Sequence, residues 1–132
     1  VAIDAKLWEE CQAVVPDSIP DQLPQALGTV DGNRAIVADF NAIKIEPDKA
    51  ADHDEPHMDA IEGANDLEAA WARREFGKKV LLVDSNIHPR CWAFILLHEG
   101  FERRLMSQGM SYDAAHERAN RMEREARGGG TY

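Results

Sequence analysis

Apolar residues recur at Ile3, Leu7, Trp8, Cys11, Val14 and Val15. This is the spacing of one helical face, and Pro16 cannot continue it, so an amphipathic helix is predicted over Ala2–Val15. The prolines and aspartates of Asp17–Pro24 read as an irregular connection. From Ala26 to Glu46 the pattern changes to short β-favouring runs at Val30, Ile36, Val37, Phe40, Ile43 and Ile45. Asp31-Gly32 between the first two is a hairpin signal, so two or three strands are expected there. The stretch Pro47–Asp59 has almost nothing to bury and reads as an acidic surface loop. Helical composition returns over Asp66–Phe76, with Asp66 as a cap and Gly77 as a stop. Lys79–Asp84 is a compact strand. A helix, Trp92–Met106, follows with Pro89 in its first turn. After Gly109, Ser111 caps a last helix, Tyr112–Arg127, with Tyr112, Ala115, Ala119, Met122 and Ala126 as its stripe. The expected fold is α+β: one domain over residues 1–127, in which a small antiparallel sheet packs on a central helix, and a flexible tail over 128–132.

Composition narrows the function classes. The 132 residues are 44% hydrophobic and 30% charged, the profile of a folded globular chain. A formal charge of -9 argues against the electrostatic footprint that nucleic acid or an anionic membrane surface needs. No apolar run reaches spanning length and no charged-then-apolar leader opens the sequence, so the expectation is a cytoplasmic protein. Cys11 and Cys91 stand in unrelated contexts without a CxxC, and reduced thiols are expected.

The chemistry concentrates in FILLHEGFERRLM, which carries His98, Glu99 and Glu102, and in SYDAAHERAN, which carries His116. At about 100° per residue, Cys91, Phe94, Ile95, Phe101 and Leu105 lie within about 60° of His98, and Glu102 about 40° from it. An imidazole and a carboxylate in an apolar stripe must be paired, neutralised or metal-bound, because a lone buried charge costs several kcal/mol. At i and i+4 the two point the same way and can grip one ion. His116, on a helix folded back by a short turn, is the candidate third ligand. Glu99 lies about 100° round, at the edge of the stripe, where a general base beside a metal-bound water belongs. A hydrogen-bonded His98–Glu102 pair in an inert core is the other arrangement these residues allow.

The pattern HExxE followed by a histidine on the next helix resembles a variant of the zincin metallopeptidases, whose usual signature is HExxH. The resemblance covers about Lys79–Arg127. It implies a zinc ion held by His98 and the Glu102 position, Glu99 as catalytic base, and the preceding strand as an edge that aligns an extended peptide or protein substrate. Glu102 stands where the family has its second histidine, and His116 where many members have a glutamate, so two His and one Glu remain. A looser similarity is to small phage and prophage proteins that pair a HExxE helix with a YxxAH helix, here Tyr112–His116. The expected activity is therefore zinc-dependent hydrolysis of a peptide or amide bond. The alternative is a non-catalytic, metal-stabilised module that binds a protein partner.

The remaining candidates have simpler roles. Pro56 between His53 and His57 opposes the helix that would align them. His88 before Pro89 reads as a turn residue. Cys91 and the tryptophans Trp8, Trp71 and Trp92 are expected in or near the core. Arg103 and Arg104 are expected to be solvated or acid-paired. Tyr112, one turn before His116, is expected to pack in the core, or else to donate to a developing oxyanion.

Overall fold

A computed structural model describes residues 3–43, 63 and 66–128. The expected α+β class is observed: the described residues form four helices and a three-stranded sheet. Helix α1 spans Ala5–Val14; it starts where Asp4 accepts a hydrogen bond from the Leu7 amide, and Val15 before Pro16 ends it. Strands β1 (Gln25–Val30) and β2 (Asn33–Ala38) pair antiparallel. Their two-residue turn, Asp31-Gly32, has φ of 50° and 79°, the left-handed conformations that this tight hairpin demands. Near the bulge in β1, Gly28 has φ 150°, and a Cβ there would stand 2.7 Å from Val14 Cγ1. Glycine at this point lets α1 close over the hairpin.

The sheet is mixed, not antiparallel as expected. Strand β3 (Val80–Asp84) runs parallel to β2, in the order β1-β2-β3. A parallel partner requires a crossover, and helix α2 (Asp66–Phe76) lies within it. Both faces of the sheet are covered, which explains the unbroken apolar runs AIVA and VLLV. Ala35, Val37, Leu81 and Val83 pack with Leu7, Cys11, Trp92, Leu96 and Leu97 on one side. Ile36, Val80 and Leu82 pack with Ala69 and Ala72 on the other. After β2 the chain turns through a short 3-10 segment, Phe40–Ala42. The expected loop with His53 and His57, and residues 129–132 of the expected tail, lie outside the described residues.

Helix α3 (Trp92–Ser107) is entered through a 3-10 turn, Pro89–Cys91, which His88 caps by accepting the Arg90 amide at Nδ1. It ends in a Schellman motif: the Gly109 amide donates to Met106 and the Met110 amide to Leu105, with Gly109 at φ 101°. Ser111 accepts from the Ala114 amide and starts α4 (Tyr112–Ala126). Trp92 is fully buried and Trp8 is partly buried, stacked on Phe94, while Cys91 is half-buried at the start of α3. Among the described residues no helix is long and apolar enough to cross a membrane.

The orientation of α3 differs from the expected one and sets up the site. Its sheet-facing side carries Trp92, Leu96 and Leu97, with Gly100 against Val30, Leu81 and Leu7. That side is centred roughly opposite His98 on the helix. His98 and Glu102 are buried under α4 instead, whose Ala115, Ala119 and Met122 face inward. Arg103, about 140° from His98, falls on the sheet side and is 3% exposed, so it is not solvated. Arg104 is acid-paired as expected, to Asp4 at 2.6 Å and Asp31 at 2.9 Å, which ties α3 to α1 and the hairpin.

Candidate metal centre

Small residues at 115 and 119 let α4 approach α3 closely enough for three side chains to converge. His98 Nε2 lies 3.1 Å from Glu102 Oε2 and 3.2 Å from His116 Nδ1, and the His116 Nδ1 to Glu102 Oε2 distance is 2.8 Å. His98 and Glu102 are buried, while the His116 side chain is 42% exposed. All three expected ligands are thus brought together from two helices. The donor set these described residues offer, two imidazoles and one carboxylate, is one that zinc takes. Ligand atoms on a tetrahedral zinc stand about 3.3–3.6 Å apart for bonds of about 2.0–2.2 Å. The two His98 sides of the triangle would open by about 0.1–0.5 Å and the His116–Glu102 side by about 0.5–0.8 Å to seat the ion.

Behind His98 stands a residue the sequence reading passed over. Glu123 Oε1 lies 3.1 Å from His98 Nδ1, and Arg127 holds the other oxygen of Glu123 at 3.0 Å. The His98–Glu123 contact is an ion-pair contact too bent for a good hydrogen bond. A carboxylate on the far nitrogen fixes an imidazole's orientation and strengthens it as a ligand. Glu123 follows His116 by seven residues, two helical turns, and that spacing on one face of α4 was the available signal.

The electrostatics follow from this crowding. Burial pulls the His98 imidazolium down, but Glu102, Glu123 and Glu99 outweigh it and hold the group up at about 10. Glu99 Oε1 is 4.0 Å from His98 Nε2, with the Glu99 side chain 18% exposed. Burial, reinforced by the charge of Glu102, pushes the Glu99 carboxyl up to about 7. Without a cation the cage therefore holds a proton on His98.

Glu99 and Glu102 open onto a cleft of about 440 Å³ that also touches Leu82 and Asp84 of β3, Phe40, Ile87, Ile95 and Tyr112. Tyr112 is not in the core: it is 50% exposed and stacks on the His116 ring at 5.3 Å. The outer edge of β3 is only partly open, because the backbone at Gly63 (φ 88°) presses against the Leu82 carbonyl too closely for any Cβ. Neither Cys11, fully buried with its thiol pushed up to about 12 by burial, nor Cys91 joins the cluster. Comparison with known proteins gives no matching family model, no matching curated protein and no matching solved structure.

Proposed function

We propose that this chain is a zinc-dependent hydrolase of peptide or amide bonds, similar in its site to the zincins. His98, Glu102 and His116 hold the ion and Glu99 is the general base. The observation that carries the reading is the meeting of three ligand-type atoms, from α3 and α4, within 3.2 Å of one another beside an open cleft. A structural zinc site is usually closed by four ligands rich in cysteine, whereas the described residues bring together three, none of them cysteine, with the carboxylate of Glu99 beside them.

When bound, zinc would lower the pKa of a water and polarise the scissile carbonyl. Glu99, beside Glu102 at the cleft, would accept a proton from a water at its carboxylate and return it to the leaving amine. Glu123 holds the His98 ring from behind, with Nε2 toward Glu102 and His116. The substrate lies in the cleft near Asp84 and Ile95, beyond the point where Gly63 covers the β3 edge.

Elemental analysis of untagged protein should find close to one zinc per chain. Glu99→Gln should keep that zinc and lose about 10²-fold or more of peptide hydrolysis. Full activity in Glu99→Gln would remove Glu99 as the base, and a zinc-free protein that gains no stability from added zinc would remove the metal.

A further inference from the structure

The walls of the cleft carry information about what enters it. Phe40, Ile87 and Ile95 give it an apolar side, and Ile87 is 39% exposed, a large aliphatic group left in contact with water. Among the described residues, the lining side chains that carry a charge at neutral pH are all acidic: Asp84, Glu99 and Glu102. Glu102 is committed to the histidines and Glu99 to the proton, which leaves Asp84.

Asp84 is built into its place. Its Oδ1 accepts from the Phe40 amide at 3.3 Å, the Asn86 amide at 3.0 Å and Asn86 Nδ2 at 2.8 Å. All three bonds fall on one oxygen, so among the described residues Oδ2 has no hydrogen-bond partner. Asn86 Nδ2 also donates to Asp39 at 2.8 Å, which brings a second carboxylate to the same corner. A fixed carboxylate with one oxygen uncommitted, at the end of an apolar wall, matches a cation next to a bulky apolar group.

We propose that the cleft selects peptides in which a large aliphatic or aromatic residue is flanked by lysine or arginine, with Asp84 Oδ2 pairing the cation. The proposal rests on the hydrolytic reading above and adds the substrate class. An anionic peptide is disfavoured by the same residues, and by the -9 charge of the whole chain.

The test uses zinc-loaded full-length protein, wild type and Glu99→Gln, with blocked peptides that hold one central leucine. A lysine or its neutral isostere norleucine is stepped through the flanking positions. Binding to the Glu99→Gln form is read by fluorescence anisotropy, and wild-type cleavage by kcat/KM. At one or more positions lysine should improve both by about three- to fivefold over norleucine, the upper range for a solvent-reached ion pair. The gain should shrink as salt is added. Asp84→Asn keeps an oxygen for all three local donors, so it should fold normally, and the ratio of lysine- to norleucine-peptide binding should fall to about one.

A lysine preference that survives Asp84→Asn, or its absence at every position, overturns the proposal. Cleavage without that preference leaves the hydrolase and removes the specificity. Preferential binding that Asp84→Asn abolishes, with no cleavage by wild type, does the reverse. Neither binding nor cleavage of any peptide in the set removes both.

Discussion

Under the proposed zinc reading, His98 is the residue on which the proton and the metal would compete. Its folded value of about 10 means that zinc must displace a proton at neutral pH. Apparent zinc affinity should therefore rise about tenfold per pH unit between pH 6.5 and 8, measurable by competition with a chromophoric chelator. The same shift makes a stability statement. A histidine raised above its ordinary 6.5 contributes stability that is complete below that value and is lost as pH climbs through about 10. Glu99, raised from 4.5 to about 7, acts with the same sign in a lower window. The metal-free chain should melt at falling temperatures as pH rises from 5 to 10, and the zinc-loaded chain should be much less sensitive. A metal-free melting curve that is flat with pH would contradict this electrostatic picture. At Glu123 the expected effect is on the ligand behind which it stands: Glu123→Gln should weaken zinc binding by about 10–100-fold, read by titration calorimetry, with the helices intact by circular dichroism.

Among the elements, α3 carries two jobs on two faces, and each face is served by different partners. Its sheet side is anchored by Trp92, Leu96 and Leu97 and by the close approach at Gly100, while its α4 side holds the ionisable cluster. The helix start at α1 links to this arrangement through Asp4, which caps Leu7 and pairs with Arg104 of α3. The Arg104 guanidinium, ahead of the Leu7 amide, holds the Asp4 carboxyl below its ordinary value. Asp4→Ala should cost about 1–2 kcal/mol, mostly as a lost cap since the ion pair is solvent-reached. Urea denaturation checks it, and zinc affinity should stay within twofold because Asp4 does not touch the cluster. The Schellman turn at Gly109 and the Ser111 cap then fix where α4 begins. That register decides which turn of α4 lies over His98.

For the whole molecule, the sheet is the platform and the His98–Glu102–His116 cluster is a clamp between α3 and α4. Core clusters on both sheet faces do not involve the cage, so the metal-free chain should remain folded. Saturating zinc should add stability by mass action, about 2.7 kcal/mol at one hundred times its Kd. Differential scanning calorimetry with and without zinc measures this. A chain that unfolds outright on chelation would mark the ion as structural and favour the non-catalytic module.

How much of this was readable in advance depended on range. The hairpin at Asp31-Gly32, the Ser111 cap, the stops at Gly77 and Gly109 and the helical phase of His98, Glu99 and Glu102 are dictated by residues within a turn or two of one another, so the sequence by itself determined them. The candidate ligands His98, Glu102 and His116 could be named from it for the same reason. The parallel pairing of β3 could not, because both faces of a buried strand are apolar and carry no mark of direction. Nor could the face of α3 that meets the sheet, since that helix is covered on both sides and its apolar stripe does not single out one. The burial of Arg103, the exposure of Tyr112 against His116, the backing of His98 by Glu123 and the shape of the cleft all follow from that orientation. They were decided only when distant elements packed, because contacts between elements depend on which faces meet and not on the local pattern within either one.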